Sequence, residues 1–352
     1  MKTIVLTGGG TAGHVTPNIA LIPSLKENGW DIKYIGSYAG IEKGLITNEN
    51  IPYYGISSGK LRRYLSKENL KDPFRVAKGY FEACKLLKQI KPQVVFSKGG
   101  FVTVPVVLAA KTLRIPVIIH ESDMTPGLAN KIAMRSAKKI CVNFEETLKY
   151  VGDKGVLTGS PIRQELFEGN KEKASRLCGF KSNKPVLLMM GGSTGAVKIN
   201  NVLREALPQL LNKFNIIHIC GKGNLDESKL PLEGYKQFEY VSSELADIFA
   251  LADIMLSRAG ANAIAEIVAL NIPSLLIPLS AAASRGDQIL NAKAMKQKGY
   301  CEVLFEEDLT VESLIQNIKE VDSHKTKYIT AMKQDTKISG IDKIMAEIQK
   351  YS

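Results

Sequence analysis

Short, nearly continuous apolar runs recur along the chain, and most of them end in glycine, serine or a charged residue. Lys2–Thr7 is the first and leads into Gly8-Gly9-Gly10-Thr11-Ala12-Gly13-His14. A helical pattern follows from about Pro17 to Asn28, stops near Gly29, and gives way to another apolar run at Ile32–Ile35. Strand, glycine loop, helix, strand is the opening of a parallel αβ layer. Val94–Ser97, Val117–His120, Lys139–Asn143 and Gly155–Leu157 continue the strand series, with a helix at roughly Val104 to Lys111.

The pattern then restarts. Val186–Met190 is an apolar strand, Gly191-Gly192-Ser193-Thr194-Gly195-Ala196 a second glycine loop, and the next helix turns Ile199, Leu203, Leu207 and Leu210 to one side. Ile216–Cys220 follows, then Gly221-Lys222-Gly223. A weak echo links the halves: Ser97-Lys98-x-Gly100 leads through an apolar helix to Ile115–Ile119, and Ser257-Arg258-x-Gly260 leads likewise to Ile272–Ile277. The pattern predicts two αβα domains facing across a cleft, residues 1–161 and 162–352, with a hinge near Thr158–Arg163. Ligands are expected at the carboxyl ends of the strands. The tail from about Ile338 to Ile348 has apolar residues at helical spacing and could pack on either domain, the N-terminal one included.

Composition fits this division. A chain of 352 residues with 45% hydrophobic content exceeds what one core usually holds. The five cysteines are scattered and form no Cys-x-x-Cys pair, which argues against a disulfide scaffold and a thiolate zinc site. The first strand starts directly after Met1, so no signal peptide is expected. Apolar stretches such as Phe101–Ala110 fall well short of the roughly 20 residues of a membrane span. A reducing, cytoplasmic setting is the expectation.

The net charge of +12 suits nucleic acid, anionic lipid or phosphorylated substrates. Between Lys60 and Lys91 basic residues are interleaved with apolar and aromatic ones, among them Lys60, Arg62, Arg63, Tyr64, Phe74 and Arg75. Such a segment reads as a surface that rests on anionic headgroups, or equally as a sheet-covering helix with a lysine-rich wet face. Nucleic acid is disfavoured, because no recognition-helix signature, aromatic stacking motif or zinc spacing accompanies the charge.

Gly8-x-Gly10-x-x-Gly13 matches the dinucleotide fingerprint, but the second strand ends Ile35-Gly36-Ser37, without the carboxylate an adenosine ribose needs. No Gly-Lys-Ser/Thr follows, so it is not a P-loop either. A backbone nest at a helix start remains, able to face a phosphate or a polar acceptor. His14 lies beside that helix start, where the dipole and burial favour the neutral form a general base requires; a structural histidine is the alternative. The Gly191–Ala196 loop, with Ser193 and Thr194, is a second candidate phosphate seat. Arg163 closes a Thr-Gly-Ser-Pro-Ile turn from which a guanidinium could reach a phosphate or base. Glu121 and Asp123 follow a strand, where they could orient a base, bind sugar hydroxyls or cap the next helix. Glu266 interrupts an apolar helix and needs a partner such as a ribose diol. Asp287-Gln288 offers an acceptor and an amide for sugar hydroxyls. No Asp-x-Asp or His-x-x-x-His pattern suggests a metal, so no cofactor is expected. A leaving diphosphate would be held by amides, dipoles and Arg163.

These residues together resemble the MurG family, the N-acetylglucosaminyltransferases that act on lipid-linked muramyl-pentapeptide. The resemblance runs nearly end to end. It is carried by Thr7–His14, Ser97–Val102, His120-Glu121 with Asn130, Thr158–Arg163, Gly191-Gly192-Ser193, Arg258-x-Gly260, Glu266 and Gln288-x-x-Asn291. The Ser-Arg-Gly-Asp-Gln and Ser-Gly-Lys-Leu-Arg-Arg segments look like the Gram-positive branch. The resemblance implies a GT-B fold with two Rossmann-like domains. It implies inverting transfer of N-acetylglucosamine from UDP-GlcNAc to the muramyl 4-hydroxyl of undecaprenyl-diphosphate-MurNAc-pentapeptide at the cytoplasmic face of the membrane. Anionic lipids and other cell-wall synthesis proteins are the further partners implied. Arg163, Ser193, Thr194, Val241, Arg258, Glu266, Asp287 and Gln288 would hold the donor. Thr11, Ala12, Gly13, Lys98, Gly99, Gly100 and Asn130 would line the acceptor side. His14 would be the base, with Glu121 as support. Other GT-B enzymes, a glycolipid glycosyltransferase or a UDP-GlcNAc 2-epimerase, are the alternatives.

Overall fold

The computed structural model describes residues 2–59, 72–192, 196–229, 232–281, 286–335 and 340–351. Lys60, Arg62, Arg63, Tyr64, Ser193 and Thr194 lie outside the described residues. The chain divides into two units, Met1–Arg163 with Ile338–Ser352, and Gln164–Lys337.

The first unit is a seven-stranded parallel sheet. Its strands are β1 (Lys2–Thr7), β2 (Trp30–Ser37), β3 (Tyr53–Ile56), β4 (Val94–Ser97), β5 (Val117–Glu121), β6 (Lys139–Val142) and β7 (Gly155–Leu157), in the order β3-β2-β1-β4-β5-β6-β7. Around it lie α1 (Thr16–Glu27), α2 (Ile41–Asn48), α3 (Asp72–Ile90), α4 (Thr103–Thr112), α5 (Leu128–Met134) and the short α6 (Leu148–Val151). The strands read as apolar runs because both faces are covered. One core layer joins Ile4, Leu6, Leu21, Leu25, Ile32 and Phe96; the other joins Val5, Ile35, Val95, Val107, Val117 and Ile119. Successive residues of β1 thus point to opposite layers, as a two-residue period requires.

The second unit carries α7 (Lys171–Cys178), β8 (Val186–Met190), α8 (Val197–Leu210), β9 (Asn215–Ile219), β10 (Tyr235–Phe238), α9 (Leu245–Leu251), β11 (Ile254–Ser257), α10 (Ala261–Ala269), β12 (Ser274–Leu276), α11 (Asp287–Gln297), β13 (Cys301–Val303), α12 (Val311–Ser323) and α13 (Lys325–Asp335). Its parallel sheet runs β10-β9-β8-β11-β12-β13, which repeats the first six positions of the other sheet. In each unit the strand order reverses beside the first strand, between β1 and β4 and between β8 and β11. Both glycine loops and both members of the Ser-Lys/Ser-Arg echo leave the sheets at these switch points, where an open α/β sheet leaves a crevice for ligands.

The chain then returns. The last helix, α14 (Gly340–Gln349), buries Ile341, Ile344, Met345 and Ile348 in the first unit's core beside Leu21, Leu25 and Trp30. The first unit thus runs to Arg163, and the tail packs on it, one of the two placements the sequence left open.

A buried histidine anchors α8, the helix behind the second glycine loop. His218 on β9 contacts Asn200 Oδ1 through Nε2 at 3.0 Å and Tyr235 Oη through Nδ1 at 2.8 Å. Asn200 Nδ2 donates to the Cys220 carbonyl at 2.9 Å, so its Oδ1 accepts and His218 carries its proton on Nε2. Burial, with Arg204 adding to it, pushes His218 down to about 3. The unfolded chain therefore takes up this proton first. The stabilisation is complete above about pH 6.5 and is lost as pH falls from there toward 3, by on the order of 4 kcal/mol. Amide exchange of β8 and β9 is expected to accelerate across that window, and His218→Gln should flatten the dependence.

Candidate active site

The first glycine loop is held from beneath. The Tyr34 hydroxyl donates to the Gly8 carbonyl at 2.8 Å, and Asn18 Nδ2 donates to the Thr7 carbonyl at 3.2 Å. Glu42, fully buried near the start of α2, accepts from Gly10 N–H at 3.2 Å through Oε2 and from Ser37 N–H at 3.0 Å through Oε1. Gly9 N–H donates to the Gly99 carbonyl at 3.3 Å. Gly100, at φ +88°, faces the Gly9 carbonyl so closely that any side chain there would collide with it. The turns after β1 and β4 thus interlock. Two of the loop's amides, those of Gly9 and Gly10, point inward to protein acceptors.

Thr11 is exposed, and Ala12–His14 form one 3-10 turn into α1. His14 Nδ1 lies 3.1 Å from the Gly9 carbonyl and 3.1 Å from Thr11 Oγ1. A carbonyl only accepts, so Nδ1 carries the proton and Nε2 the lone pair. That is the tautomer in which Nε2 can act as a base.

Beside it, at the ends of β4 and β5, lies a buried polar cluster. The Lys98 ammonium donates to Ser122 Oγ, and burial pushes it down to about 8 against the opposing pull of Glu121 and Asp123. Glu121 accepts from Asp123 N–H at 3.0 Å, Gly127 N–H at 3.0 Å and Asn130 Nδ2 at 2.9 Å. Burial pushes its carboxyl up, while those three hydrogen bonds pull it back. The carboxylate ties down the segment leading into α5. Gly99 packs against the Asn130 amide. His120 is fully buried and donates Nε2–H to the Gly159 carbonyl at 2.9 Å; burial, reinforced by Lys98, holds it far below the usual histidine range. Thr11–His14, Lys98–Gly100, Glu121 and Asn130 are therefore brought together at one switch point. Lys98 lies beneath the surface of that site rather than lining it.

In the second unit, the loops after β11 and β12 are tied together in the same way. Arg258 is buried, and its guanidinium donates to the Ile277 and Pro278 carbonyls at 3.2 and 3.3 Å and to Glu306 at 2.8 Å. All three bonds are to protein groups, so Arg258 braces the segment after β12 instead of presenting its charge to a ligand. Gln288 Oε1 accepts from Leu279 N–H at 3.0 Å, and Asn291 Nδ2 donates to the Ala259 carbonyl at 3.3 Å. These ties place the start of α11, with Asp287 as its first residue, against both neighbouring loops. Glu266 is half-buried on α10, and Val241 is buried just after β10. Arg163 closes the first unit, its Nε buried without a partner among the described residues. Among the described residues no group of three or more His, Cys, Asp or Glu side chains could hold a metal ion.

Glu42, Tyr34 and Glu306 were not identified from sequence. Glu42 lies in the first turn of α2, a helix the sequence pattern did not single out, where an acid ordinarily complements the dipole in water. Only the packing of α2 under a loop some thirty residues upstream reveals its role.

Comparison with known proteins agrees with this geometry. Residues 4–142 match the glycosyltransferase family 28 N-terminal domain and residues 186–348 the glycosyltransferase family 28 C-terminal domain. The chain is 61% identical over 353 residues, covering 100% of both chains, to the UDP-N-acetylglucosamine--N-acetylmuramyl-(pentapeptide) pyrophosphoryl-undecaprenol N-acetylglucosamine transferase of Lachnospira eligens. It is 61% identical to the like-named protein of Lachnoclostridium phytofermentans, covering 99% of each. The crystal structure of Acinetobacter baumannii MurG superposes with a TM-score of 0.78 at 27% identity, covering 99% of this chain and 100% of that one. With two Rossmann-like units in the GT-B arrangement of sequence and sheet order, and relatives matched along their whole length, the chain is a glycosyltransferase and belongs to the MurG family.

Proposed function

We propose that this chain transfers N-acetylglucosamine from UDP-GlcNAc to the muramyl 4-hydroxyl of undecaprenyl-diphosphate-MurNAc-pentapeptide, converting lipid I to lipid II. The observation that carries this reading is the end-to-end likeness to transferases named for that reaction. The His14 tautomer supports this reading. His14 Nε2 takes the proton from the muramyl O4, which attacks C1 of the donor sugar from the side opposite the diphosphate. The C1–O bond to UDP breaks, the configuration inverts to give a β-1,4 link, and UDP leaves with the bonding electrons. In this reading Arg163, Glu266, Asp287, Gln288 and the backbone at Val241 hold the donor, with Ser193 and Thr194 on the second glycine loop. Arg258 serves that site as a brace.

The acceptor is a lipid, and the reading places the enzyme peripherally on the cytoplasmic face of the membrane, on anionic lipids and in reach of other cell-wall synthesis proteins. No helix among the described residues is long and apolar enough to cross a membrane. On α3, Phe74 is 78% and Phe81 70% exposed, seven residues apart with Lys78 between them on the same face. Aromatic and basic residues so arranged favour the headgroup boundary of an anionic bilayer. Replacing both phenylalanines by serine should weaken binding to phosphatidylglycerol vesicles by about 10-fold or more, while leaving transfer to a short-chain soluble acceptor intact.

The deciding assay follows radiolabelled N-acetylglucosamine from UDP-GlcNAc into detergent-solubilised lipid acceptor, with a chelator present. Label in the lipid phase with one UDP released per sugar is expected. Sugar released only into water would reject the acceptor assignment in favour of hydrolysis or epimerisation.

A further inference from the structure

The peptide group between Gly9 and Gly10 is bonded at both ends. Its N–H donates to Glu42 Oε2 at 3.2 Å, and its carbonyl accepts from His14 Nδ1 at 3.1 Å. We infer that Glu42 is a positioning residue for His14, acting through this single peptide group as the anionic end of a carboxylate–peptide–imidazole chain. The inference rests on the reading of His14 as the base.

First, the site around Glu42 is built for a carboxylate. Glu42 is fully buried, and its oxygens accept from Gly10 N–H, Ser37 N–H and Ser37 Oγ, all of them donors. Its carboxyl group lies against Gly9 and Gly40 so closely that a side chain at either position would displace it. Second, hydrogen bonds in series polarise one another. A peptide whose N–H is drawn toward an anion has a more negative carbonyl, which is then a better acceptor for Nδ1–H. Third, a stronger acceptor on Nδ1–H fixes the tautomer and raises the basicity of Nε2. It also stabilises the imidazolium that forms on proton uptake, as a buried carboxylate does when bonded to the imidazole directly.

The other ionisable groups packed around this loop would not change in the comparison. Tyr34 donates to the Gly8 carbonyl and Tyr53 to the Ser37 carbonyl; burial, reinforced by the Glu42 charge, keeps both phenols protonated. Lys98 lies next to Gly99, whose carbonyl accepts from Gly9 N–H, and Glu121 and Asp123 stand beside it.

Glu42→Gln is the informative variant, because it keeps the shape and removes the charge. Its kcat is expected to fall about 10-fold with the KM for UDP-GlcNAc unchanged, less than when a carboxylate touching the imidazole is neutralised. The acid limb of the pH–rate profile should move down by about 0.5 unit, since loss of an anion disfavours the imidazolium. Nitrogen-15 spectra read the same coupling without turnover, and four histidines make the resonances assignable. They should show His14 with a lower pKa and a larger Nε2–H population in the variant. A lower kcat with the His14 pKa and tautomer unmoved would reduce Glu42 to a structural prop and overturn the inference. In a His14→Ala background, Glu42→Gln should cost no further activity; a second 10-fold loss would also overturn it. If His14→Ala alone retains most activity, the base assignment fails, and the nitrogen-15 measurement still decides whether Glu42 and His14 are coupled.

Discussion

Replacing His14 by alanine is expected to lower kcat by about 10³-fold, the middle of the range for loss of a positioned general base. The KM for UDP-GlcNAc should hardly change, because the assigned donor residues belong to other loops. The acid limb of the pH–rate profile should disappear with the imidazole. Stability should suffer little: His14 is only half-buried, and its hydrogen bonds to Gly9 and Thr11 stay within the loop. The Gly9 carbonyl it leaves behind belongs to a buried residue, so a modest cost on the order of 1 kcal/mol is expected. The measurements are steady-state kinetics over pH 5 to 9 and a denaturant titration of the same protein. A loss of less than about 10-fold would remove His14 from the chemistry and transfer the question to another group in the cluster.

Glu121 should behave in the opposite way, with stability falling before chemistry. Glu121→Ala leaves Asp123 N–H, Gly127 N–H and Asn130 Nδ2 without their acceptor, and leaves Lys98 buried with one less counter-charge. Uncompensated donors and a stranded ammonium together should destabilise the first unit by on the order of 4 kcal/mol. The denaturant midpoint reads this directly. Glu121→Gln restores one acceptor but turns an amide N–H₂ toward a donor, so it should recover only part of the loss. Full stability of Glu121→Gln with complete loss of turnover would instead make this carboxylate a participant in the reaction.

Sheet architecture was legible wherever strands are covered on both faces. β1, β4, β5, β8 and β9 are mostly apolar runs, because a polar side chain covered there must find a partner, as His218 on β9 does. β3, β10 and β13 escaped notice. Each lies at the edge of its sheet, and Tyr53–Ile56, Tyr235–Phe238 and Cys301–Val303 mix polar and apolar residues as half-exposed strands do. The loops that carry the site were legible from their glycines and their place after strands. Which way a side chain turns was not. Arg258 and Lys98 both suggested charges offered to a ligand, yet Arg258 bonds Glu306 48 residues downstream and Lys98 bonds Ser122 24 residues downstream. Only folding brings those partners together. Glu42 is the same lesson reversed: an ordinary surface acid in sequence becomes a buried anchor because a loop 32 residues upstream folds over it.

The return of α14 to the first unit has a consequence for biosynthesis. Residues up to Arg163 leave the ribosome first, yet the layer holding Leu21, Leu25 and Trp30 stays open until Ile341–Ile348 arrive. At about 5–20 residues per second, that wait lasts roughly ten to forty seconds, during which the strands of the second unit are made in turn. The half made first is thus the half finished last. A nascent chain stalled before α14 would display an apolar groove of defined shape, a natural handle for chaperones and for quality-control proteases.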